Sequence, residues 1–401
     1  MSTIPGFAGK TERNTMIVIM GASGTTGGAL LHSLASSGVP SRALSRDPDR
    51  LRAHLGDLAD GLVEVVPADA ADSTSLRTAF EGAEQLFLAM ANGLEQVELE
   101  TRVIDIAAES GVEHIVKISD PAAAADSPIA LSRGHHAVGE HLRASGIRHT
   151  LLRPYAFMQN LLLLAPAVAA QGVILGAMRD APCNWIDCRD IGDVAAAVLT
   201  RADLAGGTYV LTGSEAVGYG GIADSLTRML DRPVQYIDLP PHELRQNLVD
   251  HAHMPPWLAE HILEIQQLAV SRPESPTDTV ARVLGREPRT WMRSCVSIWT
   301  VSADSRCESS AASSHAVDQR AHRILIGPRT DSRSTTSPPW VICTSPWATM
   351  WRAASRTGSI SGRQLSGAAA RATSEGQMLD SADRALSSSR IFAASSFSST
   401  I

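Results

Sequence analysis

The chain has 401 residues, a formal net charge of −7 at pH 7 and an apolar fraction of 44%. This length allows two or three average domains, and the acidic balance argues against direct nucleic-acid binding, which needs a basic patch. No apolar run reaches the roughly 18 residues of a membrane span, and the polar segment Met1–Thr15 does not resemble a signal peptide. The five cysteines have neither metal-site nor disulfide-scaffold spacing, so we expect a reduced, cytoplasmic protein without a metal or a membrane contact.

The composition changes abruptly after Arg293. Residues 294–401 contain 11 Arg, 7 acidic residues and 25 Ser, so this segment carries +4 and the part before it carries −11. A chain of this composition cannot bury enough apolar surface to offset its ordering entropy, which predicts a disordered, low-complexity tail. The alternative is the out-of-frame reading of a GC-rich gene, which re-sequencing around codon 293 would detect.

Strand and helix patterns alternate in the first part of the chain. The segment Met16–Met20 is a short apolar run rich in branched residues, which predicts a buried strand. Further strands are predicted at Ser41–Ser45, Leu62–Pro67, Gln85–Met90, His114–Ser119 and His149–Arg153. Between them lie patterns that predict helices, at Ala29–Ser36, Leu76–Phe80, Glu95–Ser110 and His136–Ser145. This alternation predicts an α/β fold with a doubly wound parallel sheet of the Rossmann type.

The second half of the chain predicts further α/β structure. Its predicted elements are a core helix at Leu161–Ala170, a helix at Ile191–Leu199 with Asp190 as N-cap, a strand at Thr208–Thr212, a helix at Ile222–Leu230 and a strand at Pro233–Ile237. The helical pattern Pro240–Leu268, interrupted by Pro255 and Pro256, is expected to cover a cleft. Met254 and Trp257 then form either an apolar lid or ordinary core.

A glycine-rich turn lies between the first strand and the first helix, in the sequence GASGTTGG. Gly21 permits the tight turn, Gly24 lets the backbone approach a pyrophosphate, and Gly27 lets the helix pack against the sheet. The free N–H groups and the positive dipole end of the helix favour phosphate there. Nearby hydroxyls that can add donors belong to Ser23, Thr25 and Thr26. This context predicts nucleotide binding, and a merely structural turn is the alternative.

The residue at the end of the second strand indicates which dinucleotide binds. An acidic residue there would bind the ribose 2′-hydroxyl of NAD, whereas an arginine accommodates the 2′-phosphate of NADP. The strand ends at Arg46, whose guanidinium suits phosphate geometry, so NADP(H) is favoured over NAD(H). Asp69, after the third strand, is placed either to reach the adenine amino group or to form a turn.

Several separated stretches, in the same order, resemble the NmrA-like group of atypical short-chain dehydrogenases, and within it the NAD(P)H quinone oxidoreductase-like members. They are MIVIMGASGTTGGAL, RALSRDP, GEHLRASGIRHTLLRPYAFMQN, WIDCRDIGDVAAAVL followed by GGTYVLTGSEAVGY, and DTVARVLGREPRTW. The resemblance implies an NADP(H)-binding Rossmann domain over residues 15–172, after an extension at 1–14. It also implies a small C-terminal α/β substrate domain, a substrate-binding subdomain over residues 173–293. The tail, residues 294–401, matches nothing typical of the family.

The resemblance also implies roles for individual residues. Cofactor contacts fall on Gly21, Gly24, Gly27, Arg46 and Asp69. Met90 and Asn92 would line the nicotinamide side, and the loop after Ser119 would approach the ring.

The implied substrate residues lie further along the chain. His136 and Glu140 match an H-x-x-x-E pattern, and Tyr155 and Asn160 would lie at the substrate cleft. His136 could donate a proton or a hydrogen bond, since imidazole titrates near neutral pH, and Tyr155 is the second catalytic candidate. The alternatives are that His136 simply opens a helix and pairs with Glu140, and that Tyr155 belongs to the core.

The chain departs from typical short-chain dehydrogenases in its catalytic pair. No tyrosine is followed four residues later by a lysine, and the only lysines are Lys10 and Lys117. At the equivalent stretch, Ser132 and His136 replace the tyrosine and the lysine. Alcohol or ketone chemistry that relies on that pair is therefore not expected, whereas quinone reduction demands less because the cofactor does the hard chemistry.

Three hypotheses of function follow. The first is an NADPH-dependent reductase of a quinone or a similar conjugated carbonyl, which requires an apolar cleft beside the nicotinamide. The second is a non-catalytic NADP(H)-binding redox sensor that binds a regulatory protein, and the missing Tyr/Lys pair supports it. The third is a frame-disrupted product whose core folds poorly. A homodimer or a regulatory protein partner is compatible with the first two.

Overall fold

The computed structural model describes residues 15–58, 61–291 and 294. Its strands are β1 (Ile17–Met20), β2 (Ser41–Ser45), β3 (Val63–Pro67), β4 (Gln85–Leu88), β5 (His114–Ile118), β6 (Arg148–Pro154), β7 (Ala156–Phe157), β8 (Val173–Gly176), β9 (Cys183–Ile186), β10 (Gly207–Leu211), β11 (Ala216–Val217) and β12 (Gln235–Asp238). Its helices are α1 (Thr25–Ser36), α2 (Pro48–Leu55), α3 (Ser73–Ala79), α4 (Gln96–Glu109), α5 (Ala130–Ala144), α6 (Ala165–Gln171), α7 (Cys188–Thr200), α8 (Tyr219–Leu230), α9 (Pro241–Asp250), α10 (Pro256–Ser271) and α11 (Thr279–Leu284). The predicted extension at 1–14 and the predicted tail after Ser294 lie outside the described residues.

Seven of the strands form one parallel sheet, in the order β10-β6-β5-β4-β1-β2-β3. The chain runs outward from β1 through β2 and β3, then crosses to the other side of β1 and continues from β4 through β6. The strand order therefore reverses between β1 and β4, and sheets of this kind bind ligands at the carboxyl ends of the strands beside such a reversal. The expected Rossmann-type α/β fold is confirmed.

Helices cover both faces of this sheet. Every residue of β1 is buried, which explains its continuous apolar sequence. One face packs against α1 and α7, through residues such as Leu30 and Val194. The other face packs against α3, α4 and α5, through Leu76, Ile104 and Val138. Among the helices of the described residues, none is both long and apolar enough to cross a membrane.

The second part of the chain adds two small sheets and the helices α8 to α10. One small sheet pairs β8 with β12, and the other has the order β11-β9-β7. Helix α10 reaches the first part, because the Ala130 N–H at the start of α5 donates to Glu264 Oε2 at 3.2 Å. Met254 and Trp257, predicted as a lid or as core, are both half-buried.

The prediction of Asp190 as the N-cap of α7 is wrong. The helix begins at Cys188, and the Asp187 side chain caps it by accepting from the Arg189 N–H. Asp190 instead lies in the first turn, fully buried, and accepts from Arg286 Nη2 at 2.8 Å and from the Arg289 N–H at 2.7 Å. Asp187 and Asp190 are three residues apart, so the sequence alone allows either one as the N-cap of α7. The contacts of Asp190 with Arg286 and Arg289 occupy its carboxylate, which leaves Asp187 as the N-cap.

The predicted helix starts are also late elsewhere, most of all for α1 and α5. Helix α1 begins at Thr25 rather than Ala29, so the end of the glycine turn is already helical. Helix α5 begins at Ala130, six residues before the predicted start at His136. Gly134 lies inside α5, where a Cβ would come within 3.2 Å of Val97 Cγ2 on α4. The small residue therefore permits a close approach of two helices.

The apolar run predicted as one core helix is divided in two. A 3₁₀ segment, Met158–Leu164, precedes α6. Pro166 lies in the first turn of α6, where a missing N–H costs nothing, and it would interrupt a helix that continued through it. The sequence patterns also missed several short elements, namely α2, α11, β7, β8, β9 and β11.

The buried His114 predicts how the stability of the fold depends on pH. Its ring nitrogens lie 3.2 Å from Gln85 Oε1 and 3.0 Å from Thr150 Oγ1, and burial, with the charges of Arg148 and His149, lowers its pKa to about 4. Because the unfolded state takes up the proton first, the free energy of unfolding should fall as the pH drops from about 6.5 to about 4, by up to about 3 kcal/mol.

Chemical denaturation across this pH range measures the effect. His114→Gln should reduce the slope without abolishing it, because burial also lowers the pKa values of His261 and His135. His242→Gln, at a side chain that is 81% exposed, is the control and should keep the wild-type slope. Equal slopes for His114→Gln and the wild type would contradict the prediction.

Candidate functional site

The glycine turn after β1 is built from backbone approaches that exclude side chains. Gly21 has φ +86°, and a Cβ there would lie 1.8 Å from the carbonyl oxygen of Ala89. A Cβ on Gly27 would lie 2.1 Å from the carbonyl oxygen of Gly21. The turn is closed by a hydrogen bond from the Gly24 N–H to the Gly21 oxygen, at 2.9 Å. Glycine at positions 21 and 27 is therefore a steric requirement of this turn.

The turn presents the start of α1 as an anion site. Gly24 is the N-cap and supplies no side-chain cap, and the first turn contains no acidic residue. The first N–H groups of a helix have no partner within it, and the dipole makes this end positive. The exposed Ser23 and Thr25 lie beside these N–H groups, whereas Thr26 is buried. A phosphate group fits both the charge and the donors.

The residues predicted to select the dinucleotide lie at the ends of β2 and β3. Arg46 is exposed directly after β2, and the next residue, Asp47, caps α2 by accepting from the Arg50 N–H at 3.1 Å. Asp69 Oδ1 accepts from the Ala71 N–H at 3.0 Å, so this side chain forms a turn. The turn occupies one carboxylate oxygen of Asp69. Because Asp47 caps α2, the charged side chain exposed directly after β2 is that of Arg46.

A cluster of buried polar side chains lies between β5, α4 and α5. Lys117 Nζ lies 2.9 Å from Glu100 Oε2 and 3.2 Å from His135 Nδ1, and it donates to the Ile118 carbonyl oxygen at 2.6 Å. Lys117 and Glu100 are fully buried and His135 is 7% exposed. Gln96 Nε2 completes the cluster, 3.3 Å from Glu100 Oε1 and 3.5 Å from His135 Nε2.

Three polar groups beside this cluster lack partners. Asp120 Oδ1, Arg153 Nε and His261 Nδ1 are buried and have no hydrogen-bond partner within the described part of the chain. Burial raises the pKa of Asp120, although a hydrogen bond from Ser132 and the charge of Arg153 oppose the shift. Buried polar groups are almost always satisfied, so these atoms are open to hydrogen bonds with a bound molecule or water.

A cavity of about 270 Å³ adjoins the same region. Its lining combines the loop after β5 with one side of α5 and the end of β6, and includes Ala123, His135, His136, Glu140 and Arg153. His136 is 31% exposed, with Nδ1 3.9 Å from Glu140 Oε1. The Glu140 carboxylate also pairs with Arg143.

Not every predicted site residue reaches this cavity. The structure brings His136 to it, but the lining contains neither Tyr155 nor Asn160. Tyr155 is half-buried after β6, and its N–H donates to the Leu211 carbonyl oxygen at 3.0 Å. Asn160 is exposed in the 3₁₀ segment. Met90 is half-buried and Asn92 exposed in the loop after β4, at the same edge of the sheet as the glycine turn.

Sequence reasoning missed most of the buried cluster. The one signal was Lys117, a charged residue inside an otherwise apolar strand, which requires a buried partner. Nothing local identified Glu100 or His135 as that partner, because each lies on a different helix. Among the described residues, no group of three or more His, Cys, Asp or Glu side chains could hold a metal ion.

The fold and the turn define the class of protein, a Rossmann-type α/β protein with an anion site at its first helix. The model of the NmrA-like family matches residues 13–283. The chain belongs to the NmrA-like family.

Relatives of this chain include several reductases. An NAD(P)H azoreductase from Xenophilus azovorans is 30% identical over 279 residues, which are 69% of this chain and 95% of that protein. A (4-alkanoyl-5-oxo-2,5-dihydrofuran-3-yl)methyl phosphate reductase from Streptomyces griseus is 33% identical, over 68% of this chain and 94% of the relative. A crystal structure of the Escherichia coli NADPH-dependent quinone oxidoreductase QOR2 with NADPH is similar with a TM-score of 0.64, at 28% identity, and covers 71% of this chain and 100% of its own.

Two adjacent glycines of α1 give a matched test of the turn. Gly27→Ala forces a Cβ against backbone and should weaken NADPH binding roughly 10- to 100-fold, since overpacking of this kind costs about 1–3 kcal/mol. Gly28→Ala should leave binding unchanged, because its Cβ would lie 3.8 Å from the nearest atom, the Ala22 oxygen. Alanine at that helical position should also stabilise the fold by up to about 1 kcal/mol.

Calorimetric titration with NADPH and thermal unfolding measure both effects. Equal affinities for the two variants would show that this turn does not hold the dinucleotide. A Gly27→Ala protein that unfolds in solution would be uninformative about binding, so each variant is first checked for a cooperative unfolding transition.

Proposed function

We propose that the protein is an NADPH-dependent reductase that transfers a hydride to a quinone or a similar conjugated acceptor. The observation that carries the proposal is the anion site formed by the glycine turn and α1, beside the reversal of strand order between β1 and β4. The similarity to reductases of azo compounds, of a butenolide phosphate and of quinones supports this class of reaction. These acceptors differ widely, but each contains a conjugated double bond.

The residues present fit a bound dinucleotide. Gly21, Gly24 and Gly27, with Ser23, Thr25 and the Thr26 N–H, would hold the pyrophosphate. Arg46 would pair with the 2′-phosphate, which favours NADPH over NADH. Asp69 would reach the adenine with the oxygen that the turn leaves open, and Met90 and Asn92 would line the nicotinamide side. When bound, the reduced nicotinamide supplies the hydride.

The chain itself has to orient the acceptor and supply a proton. His136, Tyr155 and Asn160 are the residues proposed to contact the acceptor, with His136 or Tyr155 as donor. His136 reaches the cavity of about 270 Å³, a volume that suits part of a flat conjugated molecule. The absence of a Tyr-x-x-x-Lys pair restricts the reaction to acceptors that are electrophilic without strong acid catalysis.

A redox sensor that binds NADP(H) without turnover is the second candidate. The observation that favours it is the burial of Lys117, the only lysine of the described residues, in an ion pair with Glu100. This ammonium group cannot hold a nicotinamide ribose in the way that the lysine of the Tyr/Lys pair does.

The deciding experiment is NADPH oxidation by the purified protein, with quinones, an azo compound and an unsaturated lactone as acceptors. Turnover with a preference for NADPH over NADH is the expected result. Arg46→Asp should reverse the preference, with a loss of NADPH affinity of roughly tenfold or more, because a charge-assisted contact is replaced by repulsion.

Arg272→Asp is the control, because it makes the same change of net charge at an exposed position that ends α10. It should keep the wild-type cofactor preference. Binding of NADPH without oxidation by any acceptor would overturn the reductase and leave the sensor. Unchanged preference in Arg46→Asp would remove Arg46 from the cofactor site.

A further inference from the structure

The buried cluster of Lys117, Glu100 and His135 fixes where the imidazole proton lies. The Lys117 ammonium group has three protons, and it has three neighbours: the Ile118 carbonyl oxygen, Glu100 Oε2 and His135 Nδ1. A cationic lysine can only donate, so Nδ1 of His135 is an acceptor. The proton of the neutral imidazole is therefore on Nε2.

Burial first, and then its cationic neighbours, favour the neutral form of His135. Lys117 on β5 and His261 on α10 face the ring, and Gln96 and Glu100 approach it from α4. Burial, together with the charges of Lys117 and His261, holds the pKa of His135 well below its ordinary value. Further out, Arg153 on β6 lines the same cavity, and Asp120 follows β5.

The Nε2 proton of His135 has no carbonyl, carboxylate or hydroxyl acceptor among the contacts of the described residues. The protein atom near Nε2 is the Gln96 amide nitrogen, at 3.5 Å, and that amide already donates to Glu100 Oε1. Two donors do not satisfy each other. His135 also lines the cavity of about 270 Å³, together with its neighbour His136.

A purely structural role explains this cluster poorly. Replacing a buried ion pair by apolar side chains of similar size is often neutral or stabilising, because desolvation of both charges offsets their attraction. The remaining core of this face of the sheet is apolar. The cluster meets the cavity of about 270 Å³ at His135.

We infer that His135 is the proton donor to the reduced acceptor, and that Lys117, held by Glu100, restores its proton. The inference rests on the proposed reductase function and assigns the acid of that reaction to His135 instead of His136.

The proposed relay moves one proton from His135 to the acceptor and one proton from Lys117 to His135. After the hydride and its electron pair have reached the acceptor, the resulting anion takes the proton from His135 Nε2. Nδ1 takes a proton from Lys117 Nζ, which leaves a neutral amine beside the Glu100 carboxylate. Once the product has left, water in the cavity protonates Nε2, and the Nδ1 proton returns to Lys117. The cluster changes from neutral to −1 and back, and the net proton comes from solvent.

Two adjacent histidines provide a matched pair of variants. His135→Gln should lower kcat by about 100-fold or more, as expected for the loss of a general acid, with an unchanged Kd for NADPH. His136→Gln, at the other histidine of the cavity, tests the competing donor and should lower kcat much less than His135→Gln does. His242→Gln, at an exposed side chain, is the control and should keep the wild-type kcat. Lys117→Met with Glu100→Gln removes both charges together, avoids an unpaired buried charge, and should lower kcat while the protein remains folded.

Nitrogen-15 NMR of histidine-labelled protein gives a readout that does not depend on turnover. The wild type should show a neutral His135 ring with its proton on Nε2, assigned by the loss of the signal in His135→Gln. The Lys117→Met and Glu100→Gln double variant should lose this fixed tautomer.

The possible failures are distinguishable. A wild-type protein that binds NADPH but reduces no acceptor overturns the reductase, and with it the relay. An active wild type with a normal kcat in His135→Gln, or a low kcat in His136→Gln alone, overturns only the relay. A His135 ring that is cationic or protonated on Nδ1 at neutral pH overturns it without any kinetic measurement.

Discussion

Backbone contacts that only glycine permits determine how α1 and α7 pack on one face of the parallel sheet. Gly21 and Gly27 bring the turn after β1 against the end of β4 and against itself. On the same helix layer, a Cβ on Gly192 of α7 would lie 2.6 Å from the backbone carbonyl carbon of Ala29 on α1. The three glycines therefore fix α1 against the sheet and α7 against α1. The position of the anion site follows from this packing and needs no charged side chain.

The buried charges of the molecule fall into two groups with different degrees of satisfaction. Burial raises the pKa of Asp187, but hydrogen bonds from Arg189 and Ser294 lower it to about 2, and Asp190 is saturated by Arg286 and Arg289. These contacts tie the segment after α11 to the start of α7. Near the cavity the pattern is the opposite, because Asp120, Arg153 and His261 each retain an unpartnered buried atom. The saturated charges hold the fold together, whereas the unpartnered atoms remain open to hydrogen bonds.

The sequence predicted those features that depend on neighbouring residues. The strands β1 and β2, the phosphate-type turn and the order of elements follow from local patterns, and the structure has them. Features that depend on distant partners were missed or misplaced. The N-cap of α7 is decided by arginines about 100 residues away, and the start of α5 by a contact with Glu264 on α10.

The same limit applies to the candidate site. From the sequence, His135 and His136 are equivalent neighbours, and the H-x-x-x-E pattern favours His136. One residue corresponds to about 100° around a helix, so only the packing of α5 shows which ring enters the core. That packing turns His135 toward Lys117 and leaves His136 half-exposed beside Glu140. The roles of Arg46, Asp69 and Tyr155 stay predictions, because each depends on a bound molecule.

The placement of Lys117 connects the missing Tyr/Lys pair with the choice of acceptor. In the paired arrangement the lysine lowers the pKa of a tyrosine that protonates an alkoxide, which is a strong base. Here the ammonium group lies behind a neutral imidazole, and a neutral imidazole is a weak acid. In the proposed reaction such a donor is adequate when hydride transfer yields a hydroquinone oxygen, a hydrazine nitrogen or an enolate, where conjugation spreads the charge. The neutral imidazole is an inadequate donor for the reduction of a simple ketone, because the isolated alkoxide formed there has no conjugation to spread its charge. The arrangement of these residues therefore favours reduction of conjugated acceptors over reduction of simple ketones.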